Sequence, residues 1–134
     1  MNDGAVAPWP ITVPRPTVAM AVACPAEAAL GALRRALEAE GYRVASSVGP
    51  AGFEASRTSW KDLLGGSLPQ RAVVTAAATP GPAGTVLRVG FPTGGNDWGA
   101  RQRAARILTA TAGTLRGAGV TVQVGEWESG LDQR

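Results

Sequence analysis

Side chains alternate from Thr17 onward. Val18, Met20, Val22 and Cys24 fall on one side, and Ala19, Ala21 and Ala23 on the other. A period of two marks a β-strand, and the small second side suits close packing. Pro25 fits the first position of a helix. In "AEAALGALRRALEAE" the period lengthens: Ala26, Leu30, Leu33 and Leu37 line one stripe, while Glu27, Arg34, Arg35 and Glu38 face water. Gly41 supplies the stop. Alternation returns with Tyr42, Val44 and Val48, and again with Phe53 and Ala55 after the turn "GPAG". "RAVVTAAAT" and "TVLRVGF" predict two strands joined as a hairpin by "PGPAG".

Asp97 is placed to cap a second helix, whose stripe is Trp98, Ala105, Leu108, Ala112 and Leu115. Gly117 and Gly119 end it. Val120, Val122 and Val124 predict a last strand with its valines inward, and "VTVQV" reads as a sheet edge open to pairing with another chain. The predicted order is β-α-β-β-β-β-α-β. This gives an α+β fold, a two-layer sandwich with a mostly antiparallel sheet of about six strands and both helices on one face.

Residues 1–16 contain Pro8, Pro10, Pro14 and Pro16 and read as an extended arm, which packs on its own domain or on a neighbouring chain. Residues 17–127 form the single domain, and 128–134 a polar tail. The 134-residue length suits one domain.

Charge changes this picture little. Thirteen basic residues against ten acidic give +3, and twelve of the thirteen are arginine. That is a weak footprint for nucleic acid, which is disfavoured as a partner. No apolar run is long enough for a spanning helix, and "MNDGAVAPWP" lacks a basic leader, so a membrane is disfavoured and a cytoplasmic location expected.

The candidate chemistry is sparse. Histidine is absent, which removes the commonest general base and metal ligand. Cys24 is the single cysteine; it cannot form an intrachain disulfide and has no histidine to act as its base, so its inward phase reads as a small buried hydrophobe. Lys61 precedes Gly65 and Gly66, and a strand follows, the reverse of a phosphate-binding loop. The carboxylates do not pair as a metal or acid–base site. No catalytic residue, metal or cofactor is expected, and the chain reads as a non-enzyme.

Two features stand out. Arg101, Arg103 and Arg106 form the basic group of the second helix, with Arg103 and Arg106 spaced to share an anion patch. The connection from Ser59 to Arg71 is far longer than a hairpin needs, and it is apolar: Trp60, Leu63, Leu64 and Leu68, rimmed by Arg57, Lys61 and Arg71. These seven residues are the candidate partner-binding set. The leading expectation is a binding or assembly module that uses this loop to contact a protein partner or a second copy. The alternative is a carrier of an apolar small molecule between sheet and helices, with the strand alanines leaving room.

Overall fold

A computed structural model describes residues 5–45, 52–59, 70–93 and 98–130. The two-layer sandwich is present: two helices lie on one face of a seven-stranded antiparallel sheet. The strands are β1 (Pro16–Val22), β2 (Arg43–Ala45), β3 (Gly52–Ser59), β4 (Gln70–Gly81), β5 (Gly84–Gly90), β6 (Val122–Val124) and β7 (Glu128–Ser129). Helix α1 is Ala26–Ala39 and α2 is Trp98–Gly117. The sheet order is β2-β3-β4-β5-β1-β6, with β7 also on β1. The meander β2 to β5 is therefore as expected, and β1 enters between β5 and the C-terminal strands.

Alternation decides the two faces. Val18, Met20 and Val22 on β1, Val74, Ala76 and Ala78 on β4, and Leu87 and Val89 on β5 are buried under the helices. Their alternates, such as Thr75, Ala77 and Arg88, meet solvent on the open face. The helices answer with Leu30, Leu33 and Leu37 from α1 and Ile107, Leu108, Ala112 and Leu115 from α2. Alanines on both layers, Ala29, Ala32 and Ala36 over Ala55, Ala76 and Ala78, keep the layers close.

Both helices end in the same way. Gly41 has φ +88°, and the amides of Gly41 and Tyr42 donate to the carbonyls of Glu38 and Leu37. Gly119 has φ +86°, and the amides of Gly119 and Val120 donate to Arg116 and Leu115. Each is a left-handed glycine followed by an apolar residue that folds back onto the last turn. The chain thus leaves each helix with its next strand already aimed at the sheet.

The last strand departs from the simple pattern. Met20 pairs with Val124, but Thr17 pairs with Glu128. Three residues separate the first pair of positions and four the second, so one extra residue sits in the C-terminal strand. This is a β-bulge at Gly125, whose amide donates to the carbonyl of Ala19 at 2.8 Å. The bulge reverses parity. Val122 faces the helices, and below the bulge so does Trp127. Hence the chain is ordered as far as Gly130, past the start of the polar tail: β7 pairs with the start of β1, and Trp127 packs against the core.

Trp127 meets Trp9 and Phe91. The ring centroids are 5.2 Å apart for Trp9–Phe91 and 5.7 Å for each of the other two pairs. Trp9 is 1% exposed, so the arm packs in cis. Hydrogen bonds along its length fix it, among them Val6 N–H to Thr109 Oγ1, Trp127 Nε1 to the Ala7 carbonyl, and Arg101 Nε to the Trp9 carbonyl. Trp98, expected on the buried stripe of α2, is instead 61% exposed. The inward stripe starts with Ala100, half-buried against the core, and is fully buried from Ala104.

Replacing Trp9 by Ala empties the centre of this cluster. Loss of about 3–5 kcal/mol is expected in urea unfolding, whereas Trp98→Ala changes stability by no more than about 0.5 kcal/mol.

Candidate functional site

The register defines one end of the sheet. Glu54, Thr75, Gly90, Thr17 and Glu128 form a row across five strands. Below that row lie the start of β1, the end of β3, the start of β4 and Phe91. The first turn of α2 joins them, because Arg101 bonds the carbonyl of Trp9, which stacks on Phe91. The last turn of α1 joins them too, because Arg57 Nε donates to the Glu40 carbonyl at 3.0 Å. We call this the lower end.

The β3–β4 hairpin is paired out to Ser59 opposite Gln70. The long connection therefore departs from the lower end. Trp60, Lys61, Leu63, Leu64 and Leu68 lie outside the described residues, as does Asp97. The flanking arginines are separated by alternation. Arg57 shares the helix-covered side with Phe53 and Ala55 and reaches α1, whereas Arg71 points to the open face with Thr75 and is exposed. They border the loop from opposite sides of the sheet.

Ile11, 62% exposed, and Trp98, 61% exposed, are the large apolar side chains left open among the described residues. One guanidinium connects the arm to Trp98. Arg101 holds the carbonyl of Trp9, two residues before Ile11, at 2.7 Å, and its Cζ lies 5.2 Å from the Trp98 ring centre. That cation–π contact fixes an exposed indole at the surface. Nothing in a proline-rich arm, or in a tryptophan opening a helix, announced that the fold would bring them together.

The expected anion patch is partly neutralised. Arg106 grips Glu40 with two hydrogen bonds, Nη2 to Oε1 at 2.9 Å and Nε to Oε2 at 3.2 Å. The charge of Arg103 favours the ionised hydroxyl of Tyr42. Arg57, Arg103 and Arg106 together surround one carboxylate. The Arg106 hydrogen bond, helped by the charges of Arg106, Arg103 and Arg57, holds the Glu40 carboxyl below the usual range. Burial pushes the Tyr42 hydroxyl up. The pair is a fork-to-carboxylate contact from α2 to the end of α1, which locks the helices in register.

Cys24 lies just before α1, where a helix N-terminus favours a thiolate. Burial acts in the opposite sense and raises its pKa. Its carbonyl accepts from Thr85 Oγ1 at 2.7 Å, which ties the strand-to-helix turn to β5. Among the described residues no group of His, Cys, Asp or Glu is placed to hold a metal, and no helix is long and apolar enough to cross a membrane.

The edge formed by β6 is blunted. Ala23 N–H bonds the Thr121 carbonyl and Gly125 N–H the Ala19 carbonyl, so the backbone groups of Val122 and Val124 point away from β1. Arg116 Nη2 from the end of α2 occupies the Val122 carbonyl at 2.9 Å. A three-residue strand ended by a bulge and covered by a guanidinium offers little to an added strand.

Two measurements check these assignments. Glu40 has a depressed pKa when folded, so its contribution to stability is full above the ordinary glutamate range. That contribution fades as the pH falls through the lowered value. The stability difference between the native chain and Glu40→Gln is therefore constant near neutrality and shrinks in acid, as thermal unfolding across pH will show. For Cys24, iodoacetamide labels the folded protein at neutral pH more slowly than it labels free cysteine; faster labelling would restore the thiol as a nucleophile. The chain matches no family model, no curated protein and no solved structure.

Proposed function

We propose that this protein is a non-catalytic binding or assembly module, and that its contact surface is the lower end of the sheet. The observation that carries this reading is a convergence. The connection holding Trp60, Leu63, Leu64 and Leu68 departs from a hairpin paired to its last residues, at the same end where Ile11 and Trp98 are exposed. Tryptophan and arginine supply most interface energy, because they combine area, polarity and few rotamers. A protein partner or a second copy of the chain is the occupant this surface suits. The blunted β6 edge directs association away from strand addition and toward this end.

A raised thiol pKa at Cys24 and the absence of histidine weigh against an enzyme. The unpaired cysteine fits a reducing, cytoplasmic setting. The alternative of an apolar-ligand carrier draws no support from the strand alanines, which serve close packing of the two layers.

The test is a double substitution, Trp60→Ala with Leu64→Ser, read by native mass spectrometry and by capture of partners from the source cell. Assembly or capture should be lost while the circular dichroism spectrum and the unfolding midpoint stay within error. Unchanged assembly in a folded double mutant rejects the loop as the contact element.

A further inference from the structure

The charge at the lower end is more one-sided than the +3 of the whole chain suggests. Below the row Glu54–Thr75–Gly90–Thr17–Glu128, the described strand residues and the arm residue next to β1 include Arg15, Arg43, Arg57 and Arg71, and no carboxylate. Arg101 and Arg103 add to this from the first turns of α2. Among the described residues at this end, the acid Glu40 is held by Arg106. A basic rim thus borders the exposed Ile11 and Trp98.

Resting on the reading of this end as a contact surface, we infer that it docks a short acidic segment of a protein, one that also carries apolar or aromatic side chains. Three features select that class. The first is size. From Arg43 on β2 to Arg15 before β1 the rim crosses four strand spacings, about 19 Å, the reach of roughly six extended residues. The second is the boundary. Glu54 and Glu128 stand in the row just above the rim on the open face, so a long polyanion laid across the sheet meets two carboxylates. A narrow acidic strip kept to the rim does not. The third is chemistry. Three exposed arginines, Arg15, Arg43 and Arg71, match carboxylate forks, and the exposed Trp98 and Ile11 supply apolar contacts, whereas a lipid surface or duplex calls for a larger charged area than a net +3 provides.

The experiment is fluorescence anisotropy with the full-length protein and a labelled Glu-rich peptide interleaved with Leu and Phe. Its controls are the same peptide with Gln for Glu, vesicles containing phosphatidylserine, and a duplex oligonucleotide. The acidic peptide should bind at least about tenfold more tightly than its Gln counterpart, and added salt should weaken it. The double variant Arg43→Glu with Arg71→Glu changes two exposed side chains; it should weaken binding by about tenfold or more. Trp98→Ser should weaken both peptides alike. Equal binding of the two peptides, no binding of the acidic one, or a preference for vesicles or duplex overturns the inference.

The two readings fail separately. If Trp60→Ala with Leu64→Ser abolishes assembly while charge reversal and salt leave it untouched, the contact surface stands and the acidic class falls. If the loop double mutant assembles normally, the contact surface itself falls.

Discussion

Burial of Trp9 is the constraint on which the lower end of this fold depends. The residue belongs to an arm without regular structure, yet it is among the largest fully buried side chains. Its ring meets Phe91 at the end of β5 and Trp127 below the bulge, and its carbonyl accepts Arg101 of α2. One residue therefore ties the arm to the sheet and to a helix. An indole buries about 200 Å², worth roughly 5 kcal/mol, a large share of the net stability of a small domain. The bulge at Gly125 exists in this sense for Trp127: without the extra residue the strand would turn that ring to the open face. The positions of Arg101, Trp98 and Ile11 at the surface follow from the same packing.

The distribution of arginine has a physical logic that neither helix shows alone. Cations in the first turns of a helix oppose its macrodipole, and Arg101, Arg103 and Arg106 load the first half of α2. The antiparallel arrangement sets that half beside the last turn of α1, where carbonyls carry partial negative charge and Glu40 adds a full one. Arg106 then clasps the Glu40 carboxylate, and Arg57 from β3 caps its carbonyl. What is unfavourable for α2 is favourable for α1 and for the contact between them. Arg103 adds its charge to the influence on Glu40 and on Tyr42, the residue that completes the left-handed turn after Gly41. The guanidinia act as struts and also leave the lower end basic.

Local rules were enough for most of the fold. Period two located β1, β3, β4 and β5, and period 3.6 located α1, because each of these segments buries one face and nothing interrupts it. The two glycine stops were legible for the same reason: left-handed backbone after a helix needs glycine, and an apolar residue follows both. The C-terminal strand was not legible beyond Val124. Glu126 and Glu128 continue the spacing of Val122 and Val124, so alternation places acids inward and Trp127 outward. Only the pairing of β7 with β1 reveals the inserted residue. Trp98 misled in the opposite direction, since its spacing fits the stripe of α2, yet it lies at the surface under the Arg101 guanidinium. Of the site, the arginines and the apolar connection could be listed from the chain. The capture of Arg106 by Glu40 and the bond from Arg101 to the Trp9 carbonyl could not, because they join positions 66 and 92 residues apart.

A two-layer sandwich leaves three kinds of surface for a partner: the open sheet face, the sheet edges and the ends. The open face carries short side chains such as Ala19, Ala21, Thr75 and Ala77, which give little area or shape to an incoming chain. The β6 edge is interrupted by the bulge and covered by Arg116, so its outward backbone groups are partly satisfied at home. Among the described residues of the upper end, the β4–β5 hairpin is a tight turn, where Gly84 at φ +137° lies against the carbonyl of Val22. The lower end differs from all of these in holding large exposed apolar side chains, a cation fixed over an aromatic ring, and the root of a long apolar connection. Trp98 stays open at this end and is held in place by Arg101, which presents a fixed indole at the surface.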